Sequence, residues 1–313
     1  MPALKKLGIE EKRYQKAGYS DNQEQTKNTF GFKWAIRDSY DSDAAKKRVK
    51  DWLIERYCDN KEEAVKDWLV GGDKIILDAG CGSGLSALLL FGKELNYNNY
   101  LGVDISDSVG VAEERFKEEG IKGEFLQASI LDLPFADETV DIIFSEGVLH
   151  HTDSTEDALI YLSRKLKKGG IFMFYVYAKK SVIREFTDDY IREKLSTMTD
   201  EEAWEALKPL TKLGQEMGRL NVKLNVPDDI PFLGIKRGEV DLQRFIYWNI
   251  FKAYYRPEYT LDEMNHLNFD WFRPLNCRRH TEDEIREYCR KANLEIELFN
   301  KQEAGFTVIA RKK

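Results

Sequence analysis

The 313-residue sequence predicts an α/β fold: a mostly parallel sheet ending in an antiparallel hairpin, with a helical N-terminal extension and a helical insertion. Three observations predict it. From 74 to 177, short apolar runs alternate with helix-length segments, which implies parallel strands covered on both faces. The first run, Ile75-Ile76-Leu77, ends in Asp78 and passes straight into glycines at 80, 82 and 84. Near the end of the chain, 294–300 and 305–311 lie too close together for a crossover connection, so they pair antiparallel.

In chain order, residues 1 to about 42 are polar apart from Phe30-Gly31-Phe32-Lys33-Trp34, a cluster of aromatics that wants a surface to cover. Asp43 can cap a helix in which Ala45, Val49, Trp52, Leu53 and Tyr57 share a face. A shorter helix with Ala64, Val65, Trp68 and Leu69 closes at Gly71-Gly72. Strands are expected at 74–78, 99–104, 122–127, 140–145 and 170–177. Helices are expected near 84–94, 107–119 and 154–167, with a short loop-helix near 135. Thr281-Glu282-Asp283-Glu284 is a capping box that opens a last helix with Ile285, Tyr288, Cys289 and Ala292 along one stripe. The stretch between, about a hundred residues, far exceeds an ordinary connection. FTDDYIREKL, DEEAWEALKPLTKLGQEM and DLQRFIYWNIFKAYY within it read as helices. The division expected is 1–72 as arm and helices, 73–178 as core, 179–280 as a helical cap over the carboxyl end of the sheet, and 281–313 as last helix and hairpin.

The glycines carry the chemistry. A strand, a tight glycine turn and a helix N-terminus bring backbone close to a ligand. The spacing is GxGxG with no Lys-Ser/Thr behind it, so it fits neither GxGxxG nor a phosphate-binding GxxxxGK[ST]. About 20 residues past Gly84, a second apolar run ends in Asp104, where a carboxylate reaches a ribose diol. With LDLPFADETVDIIFSEGVLHH (131–151), the combination resembles the class I S-adenosylmethionine (SAM)-dependent methyltransferases. Within them it resembles the small-molecule enzymes of the ubiquinone/menaquinone-biosynthesis type. The resemblance covers about 75–178 closely and the last thirty residues loosely.

That resemblance implies a Rossmann-like class I methyltransferase sheet and SAM as cofactor. Asp78 closes the first strand, and the backbone at Gly80, Cys81 and Gly82 passes beside the methionine moiety. Gly84 completes the turn, Asp104 takes the ribose hydroxyls and Ile105 lies against adenine. Ser129 departs from the pattern: relatives often carry Asp there to accept from the adenine amine, so the backbone NH of Ile130 is an alternative contact. In many relatives a segment like 30–34 folds over the cofactor mouth; packing of the arm on the core is the other reading.

The fourth strand ends in Phe144-Ser145-Glu146-Gly147, followed by Val148-Leu149-His150-His151. Methyl transfer needs an in-line approach and, for a protonated nucleophile, a base. His titrates in the useful range. His151 is the first candidate, as a cofactor-side or acceptor-side contact, and Glu146 the second; either His alternatively braces its loop. His266 and His280 lie among aromatic and basic residues (Trp271, Phe272, Arg273, Arg278, Arg279) suited to an anionic or ring-bearing substrate. His280 is a third catalytic candidate, or else only the lead into the Thr281 cap. The run 244–256 reads first as core packing, then as pocket lining or as a dimer or membrane-surface contact.

Composition narrows the acceptor. A net charge of −7 argues against a nucleic-acid partner, whose affinity rests on Lys and Arg neutralising phosphates. The four dispersed cysteines show no metal spacing and read as reduced thiols. No signal core or run of about 18 apolar residues appears, so a cytoplasmic enzyme without a transmembrane segment is expected. The expected partner is a small or lipid-like methyl acceptor taking methyl on O, N or C, with a homodimer open. The rival readings are a SAM-binding protein of other or lost chemistry, a protein or nucleic-acid methyltransferase, and a nicotinamide-dependent dehydrogenase. The GxGxG spacing and the hairpin oppose the last.

Overall fold

The computed structural model describes residues 2–12 and 18–313; the N-terminal stretch read for a signal core (1–15) is therefore described only over 2–12. Helix α1 (Ala3–Lys6) leads to α2 (Asp21–Ala35), α3 (Asp43–Cys58) and α4 (Ala64–Leu69). The alternating region runs β1 (Ile75–Ala79), α5 (Leu85–Phe91), β2 (Asn99–Asp104), α6 (Ser108–Glu118), β3 (Glu124–Gln127), β4 (Val140–Glu146), α7 (Thr155–Lys165) and β5 (Leu166–Tyr177). Then come α8 (Val182–Leu195), α9 (Asp200–Arg219), β6 (Lys223–Val226), β7 (Gly238–Asp241), α10 (Leu242–Asn249) and α11 (Leu261–Phe272). The chain ends in α12 (Glu282–Lys291), β8 (Leu294–Lys301) and β9 (Gly305–Lys312).

The sheet order is β3-β2-β1-β4-β5-β9-β8, parallel from β3 to β5, with β9 antiparallel to both β5 and β8. The chain leaves β1 toward β2 and β3, then returns to β4 on its other side. That reversal opens a crevice at the carboxyl ends of β1 and β4, where open α/β sheets take ligands. Alternation along β1 turns Ile75, Leu77 and Ala79 toward one core and Ile76 toward the other, with Asp78 on the same side as Ile76. The first core also takes Phe172, Phe174, Leu159, Leu162 and Ile285; the second takes Leu53, Tyr57, Leu90, Phe116 and Phe144. Each such buried side chain contributes about 1.5–3 kcal/mol.

Contacts divide the chain into two units, one of 1–35, 47–178 and 276–313, the other of 36–46 and 179–275. The second unit has its own polar core. Thr211 Oγ1 bonds Asn265 Oδ1 at 2.7 Å and accepts from Asn268 Nδ2 at 2.9 Å, tying α9 to α11. No helix among the described residues is long and apolar enough to cross a membrane.

Four local expectations are corrected. Ser42, not Asp43, caps α3, its Oγ accepting from Ala45 N at 3.1 Å, because Asp43 is already the first helical residue. The region near 135 is a turn, without a helix. The insertion is not all helical: β6 and β7 pair antiparallel. The run 241–255 is helical only from Leu242 to Asn249, because side chains capture the backbone beyond it. Gln243 Nε2 donates to Ala253 O at 2.6 Å, and Asn268 Oδ1 accepts from Tyr254 N at 3.0 Å.

Candidate active site

The loop after β1 is clamped by its own backbone. The amides of Gly80 and Cys81 both donate to Val103 O, at 2.7 and 2.9 Å, and Gly82 N donates to Asp104 Oδ2 at 2.9 Å. Gly80 and Gly82 have φ of +89° and +51°, where a Cβ is strained. Contact adds to the restriction. A Cβ on Gly80 lies 2.3 Å from Val148, and one on Gly82 lies 2.7 Å from the Trp34 indole nitrogen. Cys81 is buried, and burial followed by the charges of Asp104 and Asp78 pushes its thiol well up.

Asp104 Oδ1 accepts from Ser106 N and Oγ at 2.9 and 2.7 Å, while among the described residues Oδ2 accepts only the Gly82 amide. A carboxylate has about four lone-pair sites, so acceptor capacity remains on Oδ2. A ribose diol needs such an acceptor beside a close-approaching backbone, and the residues present fit it. Ile105 follows, half-buried. Ser129 Oγ accepts from Leu131 N at 3.2 Å, and Ile130 is buried. Three residues past Ser129, Asp132 Oδ2 is buried with no hydrogen-bond partner among the described residues. Sequence reading missed it because Asp132 stands off the position where relatives carry their carboxylate.

Asp78 closes β1 just before this loop, and its charge reaches the Cys81 thiol. It accepts from Tyr100 OH at 2.6 Å, and burial pushes its carboxyl up to about 7. The charges of Asp104 and Glu146 add to that rise, and the Tyr100 bond opposes it.

At the tip of β4, Glu146 is held by two residues that no motif announces. Its Oε1 accepts from Arg56 Nη2, and its Oε2 accepts from Tyr57 OH at 2.7 Å. The Arg56 guanidinium is fully buried between Trp52 and Tyr175, at 3.4 and 4.2 Å from their ring centroids. Burial, and then Glu146, push the Tyr57 hydroxyl well up.

His151 Nδ1 lies 2.6 Å from Asn276 O. A carbonyl only accepts, so the neutral ring carries its proton on Nδ1 and its basic lone pair on Nε2. His150, fully buried, packs against Tyr177 with the rings tilted and their centroids 3.8 Å apart. His280 Nε2 meets Thr155 Oγ1 at 3.0 Å and its amide donates to Tyr177 O, which fixes the start of α7 against β5. Arg278 spends Nε and Nη2 on the carbonyls of Thr152 and Asp153. His266 lies in the second unit, with Nδ1 2.8 Å from Ser39 Oγ.

The aromatic cluster at 30–34 lies on α2, whose buried positions are Thr26, Thr29 and Lys33, so apolar counting does not find the helix. Ser20 caps it, accepting from Gln23 N at 3.0 Å. One side of α2 then follows the site. Gln23 Nε2 donates to His151 O, Thr26 Oγ1 accepts from Asn276 N, Phe30 meets the His151 ring edge-on at 4.8 Å, and Trp34 covers Gly82. The steps of three and four from Gln23 to Trp34 were the available signal.

Residues 77–174 match the family model described as "Methyltransferase domain". This segment is a class I SAM-dependent methyltransferase domain, and S-adenosylmethionine is its cofactor. Two relatives are named for different acceptors. The Homo sapiens protein named "Probable tRNA methyltransferase 9B" is 33% identical over 115 residues, 36% of this chain and 23% of its own. The Fatty-acid O-methyltransferase of Mycolicibacterium smegmatis is 30% identical over 102 residues, 32% of this chain and 36% of its own. The magnesium protoporphyrin IX methyltransferase of Synechocystis superposes with a TM-score of 0.48 at 13% identity, covering 94% of this chain and 100% of that one. The chain spans less than half the length of the curated relatives it first matches.

Proposed function

We propose that this chain transfers the methyl group of SAM to a small or lipid-like acceptor through an O, N or C nucleophile. The observation that carries the reading is the His151 tautomer: the Asn276 carbonyl holds a proton on Nδ1 and so presents Nε2 as the basic nitrogen, next to the loop after β4. Bound SAM supplies a sulfonium-activated methyl group. Asp104 and the backbone of 80–84 hold it, and Asp132 takes the amine of the adenine in place of Ser129. His151 Nε2 accepts the proton released by the nucleophile. Glu146 has both oxygens committed to Arg56 and Tyr57 and acts as a positioning residue that keeps the tip of β4 rigid. His280 braces α7. Helix α2, seated on Gly82 and His151, excludes water from the loop.

A nucleic-acid acceptor is the second reading, favoured by the relative named for tRNA. The net charge of −7 favours the small acceptor. Incubation with methyl-labelled SAM and a cell extract separates them. Label in solvent-extractable metabolites supports the small acceptor; label in RNA or precipitated protein overturns it, and no label with intact SAM binding supports a silent binding protein.

A further inference from the structure

The second unit contains a cation that the methyl-transfer reading does not use. Arg184 lies in the first turn of α8 and is 1% exposed. Its Nε donates to Asp188 Oδ2 at 3.1 Å, while its Nη1, also buried, has no hydrogen-bond partner among the described residues. Asp188 is already committed, because it also accepts from Trp271 Nε1 at 2.7 Å and Lys252 N at 3.1 Å. Rings wall the guanidinium. Its Cζ lies 4.7 Å from the Tyr247 centroid, 5.2 Å from Trp271 and 5.5 Å from Trp248. Lys180 Nζ approaches the same Trp248 and Trp271 rings at 6.0 and 5.6 Å.

The Arg184 charge is paired with Asp188, but a buried guanidinium N–H left without an acceptor is costly. The partner that best matches a guanidinium fork is a carboxylate or phosphate, and indole and phenol rings accept a flat molecule beside it. We propose that the second unit holds an anion site centred on Arg184, for a small molecule bearing a carboxylate or phosphate on a flat unsaturated ring. The site lies wholly within that unit and does not depend on the methyl-transfer reading.

The test uses the full chain with benzoate and phenyl phosphate as probes and benzamide as the neutral counterpart, read by ligand-observed NMR titration. Both anions are expected to bind at least about tenfold tighter than benzamide, and Arg184→Gln to erase that preference. The tighter of the two anions identifies the headgroup. Equal binding of benzoate, phenyl phosphate and benzamide overturns the proposal, as does full anion preference in folded Arg184→Gln. If Arg184→Gln does not fold, Trp248→Ala at the half-buried ring decides. Weaker binding of benzoate with anion preference retained supports the site, and unchanged binding overturns it.

Discussion

His151 Nδ1 and the carbonyl of Asn276 meet at 2.6 Å across 125 positions of sequence. The residues between them include the whole insertion, so the tautomer of the candidate base is set by a segment that re-enters the first unit only after it. Asn276 also donates its Nδ2 to Asp153 Oδ1 and its backbone N to Thr26 Oγ1, which makes its carbonyl a fixed acceptor.

His151→Gln is expected to lower kcat by about 10²–10⁴ with SAM affinity unchanged, the loss of a general base. Isothermal titration with S-adenosylhomocysteine beside turnover checks it. A large loss of affinity with unchanged kcat shows a cofactor contact instead.

Asp104→Asn is expected to weaken S-adenosylhomocysteine binding about 10–100-fold, the worth of a hydrogen bond to a charged group. Asp132→Asn is expected to weaken it about tenfold, and Ser129→Ala to leave it unchanged. If Ser129→Ala weakens binding and Asp132→Asn does not, the adenine contact returns to Ser129.

Gly82→Ala is expected to cost about 1–2 kcal/mol from left-handed backbone alone and to displace Trp34 as well. The displacement reads out as a change in tryptophan fluorescence that Trp34→Phe abolishes. An unshifted spectrum shows that the indole does not rest on the loop.

Glu146→Gln leaves the fully buried Arg56 charge unpaired and is expected to cost about 3–5 kcal/mol in chemical denaturation. The exposed pair of Lys6 and Asp73 is the control, with the denaturation midpoint of Asp73→Asn expected to stay close to that of the wild type.

Asp78 sets a pH dependence. Its carboxyl, raised by burial to about 7, binds a proton in the folded protein that the unfolded chain, near 3.9, releases. The sign follows: this stabilisation is full below about pH 4 and is lost as pH rises to about 7, amounting to about 4 kcal/mol across the window. Denaturation midpoints of the wild type are expected to fall between pH 5 and 7.5 relative to Asp78→Asn. Parallel curves for the two proteins show that Asp78 titrates normally.

The parts legible in the sequence are those whose periodicity is local. The apolar strand runs, the Thr281 capping box and the glycine spacing each lie within a few residues, and the sheet, the last helix and the terminal hairpin follow from them. Asp104 was legible because the length of a βα unit sets its distance from the glycines. Helix α2 was not, because its buried face is Thr26, Thr29 and Lys33, which carry no apolar stripe. The break after Asn249 was hidden for a different reason. Side-chain amides from remote positions satisfy that backbone, so local helix propensity is overridden.

The sequence by itself thus determined the α/β class, the strand-glycine-helix turn and the acidic tip of β2, because each is a pattern of near neighbours. The tertiary structure alone decided which carboxylate is paired and which ring nitrogen is basic. Glu146 meets Arg56 and Tyr57 only once α3 packs on the sheet, and His151 meets Asn276 only once the chain has returned from the insertion. Charge pairing and tautomer depend on distances of about 3 Å, and no spacing along a chain encodes a distance between residues that far apart.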